Sequence, residues 1–152
     1  MDHASLRWIA GAAHLLALLI AAASIAVRAT AARTVTDTSR LAVVFRADSW
    51  WGASALLFIG TGLWRAFGGL EKGSAYYLGS TAFWVKMALL LTILALELRP
   101  MMTLVRWRVA TARGESFDLQ PAGMIARIST IQLVLLGAMV LAATAMARGL
   151  LA

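Results

Sequence analysis

Residues 76–100 read YYLGSTAFWVKMALLLTILALELRP, an aromatic run that leads into a long apolar segment. The apolar part is long enough for a helix to cross a bilayer, which takes about 20 residues. It nevertheless carries Lys86 near its start and Glu97 near its end. Ionisable side chains inside a span are costly and are usually paired or functional. The segment therefore predicts a membrane helix that holds two charges in need of an explanation.

The rest of the chain has the composition of a membrane protein. Hydrophobic residues make up 61% of it and charged residues 14%, whereas soluble domains average about 45–50% apolar and about 25% charged. A length of 152 residues predicts a single transmembrane domain over residues 1–152. The sequence contains no cysteine, which excludes disulfides, thiolate metal sites and thiol nucleophiles. It also shows no phosphate loop and no multi-histidine cluster, so a hydrolase or a structural zinc site is not expected.

Four apolar segments predict an all-α, integral membrane four-helix bundle, with spans at about 6–27, 49–67, 81–98 and 124–147. Between the first two spans, the stretch from Arg40 to Arg46 is amphipathic and predicts a short helix at the membrane interface. Asp48 stands where the N-cap of the second span belongs. Pro100 predicts a break or a kink near the end of the third span.

The basic residues predict the orientation of these spans. Cytoplasmic loops carry an excess of arginine and lysine, and most of the arginines lie on one side of the four spans. We therefore expect both termini outside and both arginine-rich connectors in the cytoplasm. The net charge of +7 is explained by this topology rather than by binding of nucleic acid. The cytoplasmic set comprises Arg28, Arg33, Arg40, Arg46, Arg99, Arg106, Arg108, Arg113 and Arg127, and the outer set Arg7, Arg65, Lys72 and Arg148.

His14 and Lys86 are predicted to share the outer leaflet. At about 1.5 Å of rise per residue, His14 lies roughly 12 Å and Lys86 roughly 8 Å from the outer end of its span. Both side chains could then face one cavity, with Gly60 and Gly62 offering smooth helix faces beside it. Two interpretations of His14 stay open: a hydrogen bond to a backbone carbonyl, or ligation of a porphyrin iron or proton handling. Lys86 either snorkels to the surface as an anchor or holds a ligand carboxylate or moves a proton.

Glu97 has a different expected role. It lies about 16 Å from Lys86 along the helix, too far for a direct pair. It is instead level with Arg127 at the start of the fourth span, so we predict a structural ion pair between Glu97 and Arg127.

The chain resembles a family of bacterial membrane proteins, domain-of-unknown-function family 2214, over nearly its whole length. This resemblance implies a four-helix membrane fold and a multi-pass location in the bacterial cytoplasmic (inner) membrane. The matching residues are Asp48, Gly52, Gly62-Leu-Trp-Arg65, Glu71-Lys72-Gly73-Ser-Ala-Tyr76-Tyr77, Phe83-Trp-Val-Lys86, Arg99-Pro100 and Trp107-Arg108.

The chain is also similar, more distantly, to HemJ-type protoporphyrinogen oxidases, which carry a histidine in the first span and a lysine early in a later one. His14 and Trp84-Val-Lys86 stand in those places. The resemblance implies an oxidoreductase with haem b ligated by His14 and with Lys86 as the catalytic residue near the tetrapyrrole. The alternative is a non-enzymatic membrane subunit or scaffold without a cofactor. The expected partners are the lipid bilayer and a tetrapyrrole, and a homo-oligomer is compatible with either interpretation.

Overall fold

The computed structural model describes residues 2–71 and 73–149, and it confirms the all-α prediction. Within these residues no strand is present. Lys72, a predicted member of the outer basic set, lies outside the described residues. A 3-10 turn at Thr38–Arg40 precedes the second helix. The α-helices are α1 (His3–Arg33), α2 (Leu41–Phe67), α3 (Ser74–Gly79), α4 (Thr81–Arg113) and α5 (Ala122–Ala147).

Among the described residues, three helices are long and apolar enough to cross a membrane: α1, α4 and α5. The fourth long helix, α2, packs along α1, and α5 packs against both α1 and α4. The apolar surfaces that these helices leave exposed carry large side chains such as Leu56, Leu91, Val134 and Leu141. The fold is thus that of a multi-pass helical membrane protein.

The connectors 34–40 and 114–121 lie at the same end of the molecule, which we call the arginine-rich end. One buried apolar cluster joins the helices there, and its members come from the ends of α1 and α4 and the starts of α2 and α5. Helix α3 lies at the opposite end, which we call the α3 end. The buried apolar cluster at the arginine-rich end comprises Ala32, Leu41, Val44, Leu104, Trp107, Ala122, Ile125 and Ala126.

The predicted interfacial helix at Arg40–Arg46 does not form as a separate element. Residues 41–46 are the first turns of α2 itself. The reason is burial, because Leu41 and Val44 are completely enclosed in the cluster at the arginine-rich end. The apolar face of this segment therefore packs against protein, where an interfacial helix would turn it towards lipid.

Of the break or kink predicted at Pro100, the break does not occur. Helix α4 continues through Pro100 to Arg113 and ends at Gly114, whose φ of 67° is the left-handed conformation that glycine tolerates. A proline inside a helix removes one backbone hydrogen bond. The Pro100 ring is fully buried, and proline inside a membrane helix is tolerated where neighbouring helices and side chains compensate for the lost bond.

Candidate functional site

The imidazole of His14 is held in a defined orientation by α2. Its Nδ1 lies 2.9 Å from the Thr61 hydroxyl oxygen. That hydroxyl also lies 2.7 Å from the Leu57 carbonyl oxygen, and when it donates its hydrogen there it accepts one from His14. In that arrangement the proton of a neutral His14 is on Nδ1, and Nε2 keeps its lone pair. Within residues 2–71 and 73–149 no group hydrogen-bonds Nε2.

Two further residues of α2 fix the plane of this ring. Phe58 stacks on His14 with the ring centroids 4.1 Å apart and an angle of 19° between the planes. Gly62 makes the second contact: a Cβ added to it would lie 3.1 Å from the His14 Cε1 atom. A side chain at position 62 would therefore push the imidazole aside. His14 is thus held by the Thr61 hydroxyl and by the face of the Phe58 ring.

A cavity lies beside His14 at the α3 end and has a volume of about 140 Å³. A second cavity of about 380 Å³ adjoins it, because the two share much of their lining. The structure brings His14 and Lys86 together on both cavities. Gly62 lines the smaller one. Gly60 is exposed, and a Cβ added to it would have no neighbour within 4 Å, so its predicted place in the cavity wall is wrong. The shared lining is His14, Phe58, Arg65, Tyr77, Lys86, Met139 and Met146.

The charges around these cavities are not equivalent. Arg65 is neutralised by Glu71, whose Oε1 lies 2.9 Å from Arg65 Nη2. Lys86 is half-buried and forms no ion pair with a described residue. Burial raises the pKa of the Tyr77 phenol, so at neutral pH Tyr77 keeps its proton and presents a hydrogen-bond donor. The cavities therefore combine one uncompensated ammonium with a phenol and an unprotonated imidazole nitrogen.

Aromatic side chains close the α3 end around this site. Tyr77 of α3 packs on Phe83 of α4 with their centroids 5.8 Å apart, and Phe67 meets Phe83 edge-on at 6.3 Å. The Trp84 indole donates to the Leu78 carbonyl at 3.0 Å and fastens α3 to the start of α4. The aromatic run that precedes Lys86 in the sequence thus forms one wall of the cavities.

A second polar cluster, centred on Arg28, lies deeper between the helices. All five N–H donors of the guanidinium have an acceptor. Nε donates to Ser129 Oγ at 3.0 Å, and Nη1 donates to Asp48 at 2.8 Å and to Glu97 at 2.6 Å. Nη2 donates to the second Glu97 oxygen at 2.7 Å and to Gln132 at 2.9 Å. These residues come from α1, α2, α4 and α5, so one side chain joins all four long helices.

The outer members of the Arg28 cluster complete its charge balance. Arg108 Nη2 contacts the second oxygen of Asp48 at 2.9 Å, and the Gln132 amide donates to Glu97 at 2.8 Å. Two guanidinium groups therefore face two carboxylates. The Arg28 side chain is 0% exposed and that of Glu97 13%, whereas the Arg108 side chain at the rim is 38% exposed. The centre of the cluster therefore consists of buried charges that compensate one another.

Two sequence interpretations change with this geometry. Glu97 takes Arg28 as its partner, and among the described residues no ion pair joins Glu97 to Arg127, so that predicted pair is replaced. Asp48 lies inside α2, which starts at Leu41, and it binds Arg28 and Arg108 where a helix cap is expected from the sequence.

The predicted first span ends before Arg28 because a charge there favours a connector. The absence of glycine and proline between residues 28 and 33 is the available signal that the helix continues.

The cavities beside His14 and the Arg28 cluster both lie within the part of the chain that matches a known family. Residues 6–150 match the family described as predicted membrane protein (DUF2214). The chain belongs to this family. The predicted membership is thus confirmed, and His14, Lys86, Arg28 and Glu97 all fall within the matched range of this DUF2214 protein. No curated protein and no solved structure matches the chain.

Proposed function

We propose that this DUF2214 protein binds a tetrapyrrole, haem b in the form we favour, in the cavities at the α3 end. The observation that carries the proposal is the orientation of His14. Its Nδ1 is held by Thr61, which would leave the lone pair of Nε2 for a ligand in the cavity that His14 lines. A ligating histidine commonly donates its other ring N–H in this way, which fixes the tautomer and makes the ligating nitrogen more basic. His14 would then be the residue that holds the iron.

The remaining lining fits such a group. Ligand pockets usually measure about 300–1,000 Å³ and are mainly apolar with a few polar groups, and the larger cavity of about 380 Å³ falls in this range. Phe58, Met139 and Met146 supply apolar contacts. Lys86 provides an ammonium for a propionate carboxylate, since a buried cation favours an anionic partner.

The bound group would supply the redox chemistry, and the protein would supply position and charge. Lys86 is the residue best placed to act catalytically, by holding a ligand carboxylate or by moving a proton at the cavity wall. The protein would then be an oxidoreductase with the same division of roles as the HemJ-type oxidases that it resembles.

We further propose that α2 is a fourth span, that both termini face outwards and that the membrane is the bacterial inner membrane. The excess of arginine at the arginine-rich end supports this orientation. Because the chain has no cysteine, single cysteines can report the topology. A Thr36→Cys variant in intact cells should resist a membrane-impermeant maleimide and a Ser74→Cys variant should react. The reverse pattern would overturn the orientation.

A non-enzymatic subunit without a cofactor is the second candidate. The Arg28 cluster favours it, since these charges compensate one another and require no ligand. This candidate predicts that His14→Ala and Lys86→Met leave the ligand content and the activity of the folded protein unchanged.

The absorption spectrum of the purified full-length protein, expressed with a supply of haem precursor, tests the proposal. We expect a Soret band and about one haem per chain by pyridine haemochrome assay. Folded protein without a Soret band, which also takes up no haem on titration, would reject the haem and favour the second candidate.

A further inference from the structure

A groove runs between α4 and α5 at the arginine-rich end, separate from the cavities beside His14. Its volume is about 580 Å³. It opens on the outer surface of the helices, where Arg99, Arg127 and Ile131 are exposed. The groove is lined by Thr92, Ala95, Leu96 and Arg99 of α4 and by Met124, Arg127, Ile128 and Ile131 of α5.

The two arginines of this groove have no carboxylate to neutralise them. Within the described part of the chain, neither the Arg99 nor the Arg127 guanidinium forms an ion pair or a hydrogen bond. Glu97, which precedes Arg99 by two residues in α4, is committed to Arg28 through both of its oxygens. Among the described residues nothing compensates these two positive charges, so the groove can accept an anionic group from outside the chain.

The apolar part of the groove extends away from these charges along both helices. Thr92 precedes Arg99 by seven residues, which is about 10 Å of helix rise. Ile131 follows Arg127 by four residues in the antiparallel helix, or about 6 Å. Both apolar stretches run from the arginines towards the middle of the molecule. The groove is thus positive at one end and apolar along its length.

We propose that this groove is a binding site for an anionic phospholipid of the surrounding leaflet. Its phosphate would lie between Arg99 and Arg127, and one acyl chain would lie along Leu96, Ile128 and Ile131. Guanidinium groups bind phosphate through paired, charge-assisted hydrogen bonds, and basic pockets between membrane helices bind anionic head groups. The charge and the apolar length together select a lipid over a soluble anion.

Native mass spectrometry of the full-length protein in detergent tests this site. Phosphatidylglycerol and phosphatidylcholine are added separately to the wild type, to an Arg99→Gln/Arg127→Gln variant and to an Arg106→Gln control. Arg106 is exposed on α4 outside the groove, so the control removes a similar charge elsewhere. The double variant should bind phosphatidylglycerol about thirtyfold more weakly than the wild type, from the usual contribution of each arginine to anionic-lipid binding. The control removes one arginine outside the groove, so it should lose at most about fivefold by the same reasoning. Phosphatidylcholine should bind all three proteins equally and weakly.

Three results would overturn the proposal. Equal losses in the double variant and the Arg106→Gln control would mean that the arginine-rich end attracts anionic lipid without a specific site. Undiminished phosphatidylglycerol binding by the double variant would place the lipid elsewhere. Displacement of the bound lipid by millimolar inorganic phosphate would show that a soluble anion is the occupant. Circular dichroism of each variant verifies that it is folded, and the haem content of the protein does not enter this test.

Discussion

Arg28 of α1 and Glu97 of α4 are joined by two parallel hydrogen bonds, Nη1 to Oε1 at 2.6 Å and Nη2 to Oε2 at 2.7 Å. The guanidinium is completely buried and has an acceptor for each of its donors. This pair explains the second charge of the segment 76–100: Glu97 stabilises the packing of the helices.

The Arg28–Glu97 pair makes a direct prediction for stability. Glu97→Gln or Arg28→Met leaves an uncompensated charge between the helices, and breaking a buried pair in this way costs about 3–5 kcal/mol. We expect a large fall in the thermal unfolding midpoint in detergent for either variant. Arg127→Gln is the matched control and should change the midpoint little, because Arg127 is exposed and lies outside the cluster. An equal fall for Arg127→Gln would contradict the assignment of Arg28 as the partner.

Much of the fold follows from local sequence signals. Helix α4 begins at the predicted Thr81, and the apolar segments lie in the long helices. The ends of the helices cannot be predicted in the same way. A charge predicts the end of a span. Helix α1 nevertheless continues past Arg28, because partners on three other helices compensate the charge of Arg28. Pro100 predicts a break in α4, and its burial against neighbouring helices is a tertiary effect.

The candidate site is predicted from the sequence only in outline. Depth along the helices is enough to bring His14 and Lys86 to one end of the molecule. The orientation of His14 depends on Thr61 and Phe58, which lie on another helix. The spacing of residues along the sequence does not predict which side chains of α2 face His14. The structural role expected for Glu97 agrees with its place in the Arg28 cluster, but its partner depends on how α1 and α4 are rotated about their axes.

Thr61→Val should weaken the binding of the tetrapyrrole without unfolding the protein. The change removes the acceptor for the His14 Nδ1–H, and loss of such an outer partner typically lowers affinity about 10- to 100-fold. Haem titration followed by the Soret absorbance measures it. Thr92→Val is the control, because the Thr92 hydroxyl bonds the Ala88 carbonyl of its own helix. Wild-type affinity in the Thr61→Val variant would contradict the orienting role.

Gly62→Ala should also reduce haem content. Its Cβ would lie 3.1 Å from His14 Cε1, so the imidazole must move away from the position that Phe58 and Thr61 define. Gly60→Ala is the control, because a Cβ there has no neighbour within 4 Å. Both variants should fold, and the ratio of haem to protein should fall in the first alone. Similar ratios in the two variants would show that the close packing around His14 is not required for binding.

Lys86→Met should weaken binding of a tetrapyrrole with free propionates by about 10- to 100-fold, the usual range for a lost hydrogen bond to a charged group. It should not change binding of the dimethyl ester, which has no carboxylate for Lys86 to hold. Arg148→Gln, an exposed change at the same end, is the control. If the ester and the free acid lost affinity equally, Lys86 would act by packing and its proposed pairing with a carboxylate would be rejected.

The central claim is that His14 ligates a haem, and the two histidines of this chain test it most directly. His3 and His14 both lie in α1, and His3 is exposed at its start. His14→Ala and His3→Ala are purified in parallel, and the Soret spectrum is recorded at equal protein concentration. We predict that the His14→Ala protein stays folded and loses its Soret band or shows a shifted one, while the His3→Ala spectrum equals that of the wild type. An unchanged Soret band in folded His14→Ala protein would contradict the claim.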